Sequence, residues 1–291
     1  MVCPDQCLRD SVGLRQLSAS TALGKINPMV TLKGYFDGGN KSDSRRYSIV
    51  SLAAVSGVPD QWEAFESDWR AMLCTHNVPY LHVTDLLAGQ DAYEDRPIKM
   101  RLRLLSAAAR LAAKHHVVAA TPKTSARFGL FCCAISIHLK AFVDFAHANA
   151  DAPKNADRAM LGYCLSEVIQ WAQANAKADE CQLFFDQGEP FYGHLQHMLQ
   201  SKKAKVDATA LLLVASTAEA NMRRVPALQL ADLYAWCVAH RHRPAKPRWQ
   251  EIVLATHYRW IHIDSSNVQN INRQSLRTAA SWGMPNRAPT K

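Results

Sequence analysis

The 291-residue chain contains no run of consecutive apolar residues approaching the ~18 that cross a bilayer, which excludes a helical membrane span. Its opening, Met1-Val2-Cys3-Pro4-Asp5-Gln6, lacks the charged, then apolar, then small-residue layout of a secretory leader, and a cytoplasmic location is the expectation. The eight cysteines include no Cys-x-x-Cys pair. Cys3 and Cys7 lie in the N-terminal stretch, Cys132 and Cys133 are adjacent, and the rest are single on apolar faces, so they read as small buried hydrophobes. Also missing are a Gly-x-Ser-x-Gly elbow, a Gly-x-Gly-x-x-Gly turn, a Walker loop and a His-Glu-x-x-His pair, which leaves a small-molecule hydrolase without support. Acid is scarce relative to base: 25 Asp plus Glu against 34 Lys plus Arg, a net charge of +9. That excess favours partners that carry phosphate. What is present is ordinary for a globular protein: 48% hydrophobic and 20% charged residues. At this length a chain buries roughly three quarters of its unfolded surface and needs no disulfide or metal staple.

Residues 1–28 show no sustained period and close at Asn27-Pro28, as a loose extension would. Residues 30–37 and 47–55 predict two strands, joined by a long polar loop into a hairpin. Pro59 opens a helix with Trp62, Phe65, Trp69 and Leu73 on one stripe. A short extended piece, 79–85, leads into a helical turn, and 98–114 predicts a helix with Leu102, Leu105, Ala109 and Ala112 on one face. A short strand at 117–120 follows, then helices at about 131–148 and 156–177. Residues 182–186 predict a strand, Pro190 starts a helix at the position where proline suits one, and 209–215 predicts another strand. The last strong helices span 226–240 and 249–260. Strands alternating with helices predict an α/β mixed sheet flanked by helices. The expected organisation is one domain over 29–262 with a helical insertion at about 128–178, and a polar tail over 263–291.

Three acids sit where strands and helices aim chemistry. Asp37 ends the first strand ahead of Gly38-Gly39, Asp186 ends the 182–186 strand, and Asp232 lies in an otherwise apolar helix among Leu228, Leu230, Ala231, Leu233 and Trp236. An acid after a strand is commonly a turn former or helix cap, and a lone acid in an apolar helix is commonly met by an arginine or a backbone amide. Together the three form the donor set of a divalent-metal phosphodiester site. Mg²⁺ or Mn²⁺ takes carboxylate oxygens together with water and phosphate oxygens, and a pair of such ions serves both the attacking and the leaving oxygen.

Five segments occur in order: Tyr35-Phe36-Asp37-Gly38-Gly39, residues 62–69 (WEAFESDW), Leu81-His82-Val83-Thr84-Asp85, Phe184-Phe185-Asp186, and residues 226–235 (PALQLADLYA). Over about 32–240 the chain resembles the domain of unknown function 3800 family, which is grouped with ribonuclease-H-like folds. Its most specific part is Leu-Gln-Leu-Ala-Asp-Leu. The resemblance implies a ribonuclease-H-like sheet, with Asp37, Asp186 and Asp232 as the family's acids and His82 with Asp85 as its His-and-acid element. The family's usual Glu after the first Asp is Gly38 here, and Glu189 or Glu219 are candidates to supply that carboxylate. His82 reads as a general base, a ligand, or a residue holding a turn. Glu189, just before Pro190, reads as a ligand or as a complement to a helix N-terminus.

Basic residues gather in 240–248 (HRHRPAKPR) and at Arg223-Arg224, either to hold phosphates near the acids or as a solvated loop and a helix flank. The sequence thus predicts a nuclease or related phosphoryl-transfer enzyme using Mg²⁺ or Mn²⁺ on RNA or DNA. Its rival, motivated by Gly38, is an inactive module of the same fold that binds nucleic acid or a protein partner.

Overall fold

A computed structural model describes residues 29–39, 48–116, 129–149, 155–202, 213–242, 244–256 and 259–268. The fold grows from the alternation of its first strand. In β1 (Thr31–Gly39), Leu32 and Phe36 point to one face while Tyr35 and Asp37 point to the other. β2 (Ile49–Gly57) returns antiparallel, placing Tyr35 opposite Val55 and Asp37 opposite Ala53. β3 (Phe131–His138) pairs antiparallel with β2, β4 (Glu180–Asp186) parallel with β1, β5 (Val214–Ala220) parallel with β4, and β6 (Arg259–Ile263) parallel with β3. The six-stranded order is β5-β4-β1-β2-β3-β6, and β2 alone runs against the rest.

Helices cover both faces. On the Tyr35 face lie α1 (Pro59–Thr75), the short α2 (Val83–Ala88), α3 (Ile98–His115), α7 (Pro226–Ala239) and α8 (Arg248–Leu254). On the Phe36 face lie α4 (Leu139–Ala148), α5 (Ala156–Trp171) and α6 (Pro190–Lys202). Aromatic pairs lock both: Tyr35 stacks on Phe184 at 4.9 Å and meets Trp62 edge-on at 4.8 Å, while Phe36 stacks on Phe185 at 4.8 Å. All 14 residues of α7 are buried, because it lies between the sheet and α1, α2 and α8. A helix wrapped on all sides is apolar all round.

Two stretches differ from the sequence expectation. Residues 131–138, expected to open a helix within the insertion, form β3. Phe-Cys-Cys-Ala-Ile-Ser-Ile is a near-continuous apolar run because both faces of that strand are buried, and such a run carries no period to separate strand from helix. The helix expected over 249–260 stops at Leu254, and Arg259–Ile263 is strand β6. The strand expected at 209–215 is described as Val214–Ala220, and 209–212 lies outside the described residues. Also outside them are 1–28, the 117–120 strand and most of the C-terminal tail. Cys74 is exposed, while Cys132, Cys133, Cys164, Cys181 and Cys237 are buried. Among the described residues no helix is long and apolar enough to cross a membrane.

Candidate functional site

Asp37 and Asp186 are brought together by strand register. Phe36 and Phe185 are partners in the parallel β1–β4 pair, so the next residue of each strand falls alongside, about one strand spacing apart. Alternation turns both acids to the face carrying Tyr35, Phe184 and α7. Asp232 projects from α7 onto the same face. Asp37 and Asp232 are each only 4% exposed, an unusual condition for a carboxylate.

Backbone amides fix two of these groups. Asp232 Oδ2 accepts the Val83 N–H at 2.8 Å, at the first turn of α2, and Asp186 Oδ1 accepts the Met222 N–H at 3.0 Å. His82, which precedes α2, holds Asp85 through Nδ1 and Oδ2 at 2.6 Å. The spacing of three residues on a helical turn permits this contact.

The electrostatics follow from burial and crowding. Burial, then Asp232, Asp186 and Glu189, push the Asp37 carboxyl well above its usual range, against one stabilising N–H from Gly38. Burial also raises Asp232, to about 6; His82 and the Val83 N–H oppose the shift, and Asp186 and Asp85 add to it. For His82, burial pulls the imidazolium down, but Asp232, the Asp85 hydrogen bond and Asp186 outweigh it and the net shift is upward. Asp37, His82, Asp85, Asp186, Glu189 and Asp232 therefore form one interacting group.

Glu189 stands over Gly38. A Cβ built on Gly38 would lie 3.1 Å from Glu189 Oε2 and 2.6 Å from the Phe191 ring. The carboxylate from the turn before α6 thus occupies the space a side chain at position 38 would enter. Glu219 is not part of this group. Its partner in the β4–β5 register is Phe185, so it shares the face opposite Asp186, and it is exposed.

Sequence reasoning passed over Gln229, one helical turn before Asp232. Its Oε1 accepts Trp69 Nε1–H at 2.8 Å and the Leu81 N–H at 3.0 Å, and its Nε2 donates to Met222 O at 3.0 Å. One buried amide therefore ties down both the segment leading to His82 and the residue that holds Asp186. The signal was available: Gln229 is, with Asp232, a polar residue in an apolar helix. Tyr93 adds a second tie, donating to Tyr80 O at 2.5 Å and accepting the His82 N–H at 3.2 Å.

The two basic segments part company. Arg223 is one residue from the Asp186 contact, pairs with Asp91 and lies over the Tyr80 ring. The 240–248 loop begins beyond Ala239, roughly 10 Å along the α7 axis from Asp232. There Arg241 covers Trp260 and His242 packs on His262 at the β6 end of the sheet.

Among the described residues no three His, Cys, Asp or Glu side chains stand already arranged to hold a metal ion. The carboxylates nevertheless have the chemistry a hard divalent cation takes, oxygen ligands alone, and Asp186 raises the proton affinity of both Asp37 and Asp232. No family model matches the chain, and neither a curated protein nor a solved structure does.

Proposed function

We propose that the chain is a divalent-metal-dependent nuclease, or a closely related phosphoryl-transfer enzyme, built on a ribonuclease-H-like sheet. The observation that carries this reading is the burial of Asp37 and Asp232, each 4% exposed, on the face to which the β1–β4 register also brings Asp186, with Asp232 and Asp186 both raising the proton affinity of Asp37. Nothing in folding requires two acids to be buried in one interacting group, and the arrangement costs stability. The mixed sheet, with β2 reversed and helices on both faces, supports the fold that the resemblance implies. The net charge of +9 supports RNA or DNA as the partner, and the cytoplasm is the proposed setting.

Asp37, Asp186 and Asp232 would hold Mg²⁺ or Mn²⁺, with Glu189 as a further ligand. When bound, such ions activate a water and stabilise the charge on the leaving oxygen. The chain's own groups do the rest. The Val83 and Met222 amides aim the Asp232 and Asp186 carboxylates, and Gln229 fixes the two segments that carry those amides. His82, oriented through Nδ1 by Asp85, presents Nε2 to exchange a proton with water or the departing group.

A second reading is favoured by Gly38. The resemblance implies a Glu at this position, and Phe191 and Glu189 fill the space it would need. The chain would then be an inactive module that binds nucleic acid or a protein. Cleavage of labelled RNA and DNA with Mg²⁺ or Mn²⁺ separates the two. Activity lost in Asp37→Asn and Asp232→Asn supports the enzyme, and an oligonucleotide bound but never cut supports the module.

A further inference from the structure

We propose that Arg223 is a phosphate-binding residue of the carboxylate site, held on Asp91 until a nucleic-acid backbone takes that carboxylate's place. The inference rests on the nucleic-acid reading above and names the contact through which the site would engage its substrate. A phosphodiester approaching Asp37, Asp186, Glu189 and Asp232 is repelled unless cations stand beside them. Among the described residues Arg223 follows the residue whose amide holds Asp186, whereas Arg241 and His242 lie beyond the C-terminal end of α7.

Arg223 spans two structural supports of the site. Behind it, Met222 donates its N–H to Asp186 and gives its carbonyl to Gln229. In front, its guanidinium lies 5.0 Å from the centroid of Tyr80 and pairs with Asp91. Asp91 Oδ2 also accepts the Tyr80 hydroxyl at 2.9 Å, and the Tyr80 carbonyl connects through Tyr93 to the His82 amide. The guanidinium is thereby fixed between the turn carrying Met222 and the segment carrying His82. The pair is open to solvent, with side chains 56% exposed at Arg223 and 44% at Asp91, so releasing it costs little. A phosphate offers the same guanidinium a bidentate, charge-assisted contact that one carboxylate oxygen shared with a tyrosine does not.

The test measures fluorescence anisotropy of a short fluorescein-labelled RNA, and a DNA of the same sequence, against full-length protein in Ca²⁺ buffer, with the probe's integrity checked on a gel. Salt is varied over about 50–200 mM. Arg223→Ala is expected to weaken binding about tenfold and to reduce the log–log salt slope by about 0.7–0.9. Arg224→Ala, which removes the same charge one residue away, is expected to change affinity by less than about threefold, a solvent-screened effect. Asp91→Asn frees the guanidinium and is expected to tighten binding about threefold, a gain that a merely structural ion pair would not give. Thermal melts confirm that each variant is folded. Wild-type affinity and slope in Arg223→Ala, or weaker binding in Asp91→Asn, would overturn the proposal while the nucleic-acid reading stands. If the wild-type protein binds neither oligonucleotide, that reading fails and takes the proposal with it.

Discussion

Asp232, in the middle of a fully buried helix, accepts the backbone N–H of Val83 at 2.8 Å, so the acid that joins the carboxylate group also caps the first turn of α2. Among the described residues its charged partner is His82 and not an arginine. Substituting Asn keeps an oxygen to accept the Val83 amide and removes the charge that Asp37 and Asp186 oppose. Metal-free Asp232→Asn is therefore expected to melt at or above the wild-type temperature at pH 7. Asp232→Ala leaves the amide unsatisfied and is expected to cost about 1–2 kcal/mol. The sign of the pH effect is fixed by the raised carboxyl: the folded state holds a proton that the unfolded state has released. Wild-type stability should fall as pH rises from the usual carboxylate range through about 6, by roughly 2–3 kcal/mol. Asp232→Asn should lose that part of the slope, as urea titrations at several pH values will show. A loss of roughly 3–5 kcal/mol in Asp232→Asn would mean a structural ion pair instead.

His82 reports the same field from the cationic side. With Asp232, Asp85 and Asp186 holding its net shift upward, its imidazole should titrate above the ordinary histidine value. It should move down in Asp232→Asn and again in Asp85→Asn. Proton NMR of the ring resonances across pH 5–9 reads this directly, and an unchanged His82 midpoint in both variants would remove it from the site.

Gln229 should behave as a structural keystone of the site. Gln229→Leu orphans the Trp69 indole, the Leu81 amide and the Met222 carbonyl and is expected to cost more than about 3 kcal/mol, since each buried orphan costs ~1–3. The denaturant midpoint should fall with an unchanged slope. A loss under about 1 kcal/mol would show that water takes over its bonds.

Gly38 is required by close approach. Gly38→Ala places a methyl 2.6 Å from Phe191 and should destabilise by about 1–3 kcal/mol, as overpacking does. Phe191→Leu, combined with it, should recover part of that loss. The double-mutant coupling is the measurement, and strict additivity would show that the two positions do not meet.

The architecture was legible where the sequence had a period or a punctuation mark. The Trp62–Trp69 stripe, Pro59, Pro190 and the β1–β2 hairpin each carried a local signal that the structure repeats. β3 carried none, because burial on both faces erases alternation, and β6 was hidden behind a helix that ends five residues short of it. For the site, Asp37 and Asp186 stood out as strand ends and Asp232 as a charge among leucines. Their meeting could not be read locally, since it depends on the Phe36–Phe185 register across a parallel crossover. The placement of Glu189 over Gly38 and the bonds of Gln229 are likewise tertiary facts: neither residue's neighbours in sequence say what it touches.

Divalent-metal binding tests the central claim most directly. Isothermal titration of Mn²⁺ into the full chain at pH 7.5 should give saturable binding, accompanied by proton release as the raised Asp37 carboxyl ionises. Asp37→Asn and Asp232→Asn should each abolish or strongly weaken it, while Glu219→Gln, on the opposite face of the sheet, should leave it intact. Absence of Mn²⁺ binding in the wild-type chain, or binding equally strong in Asp37→Asn, would contradict a carboxylate metal site.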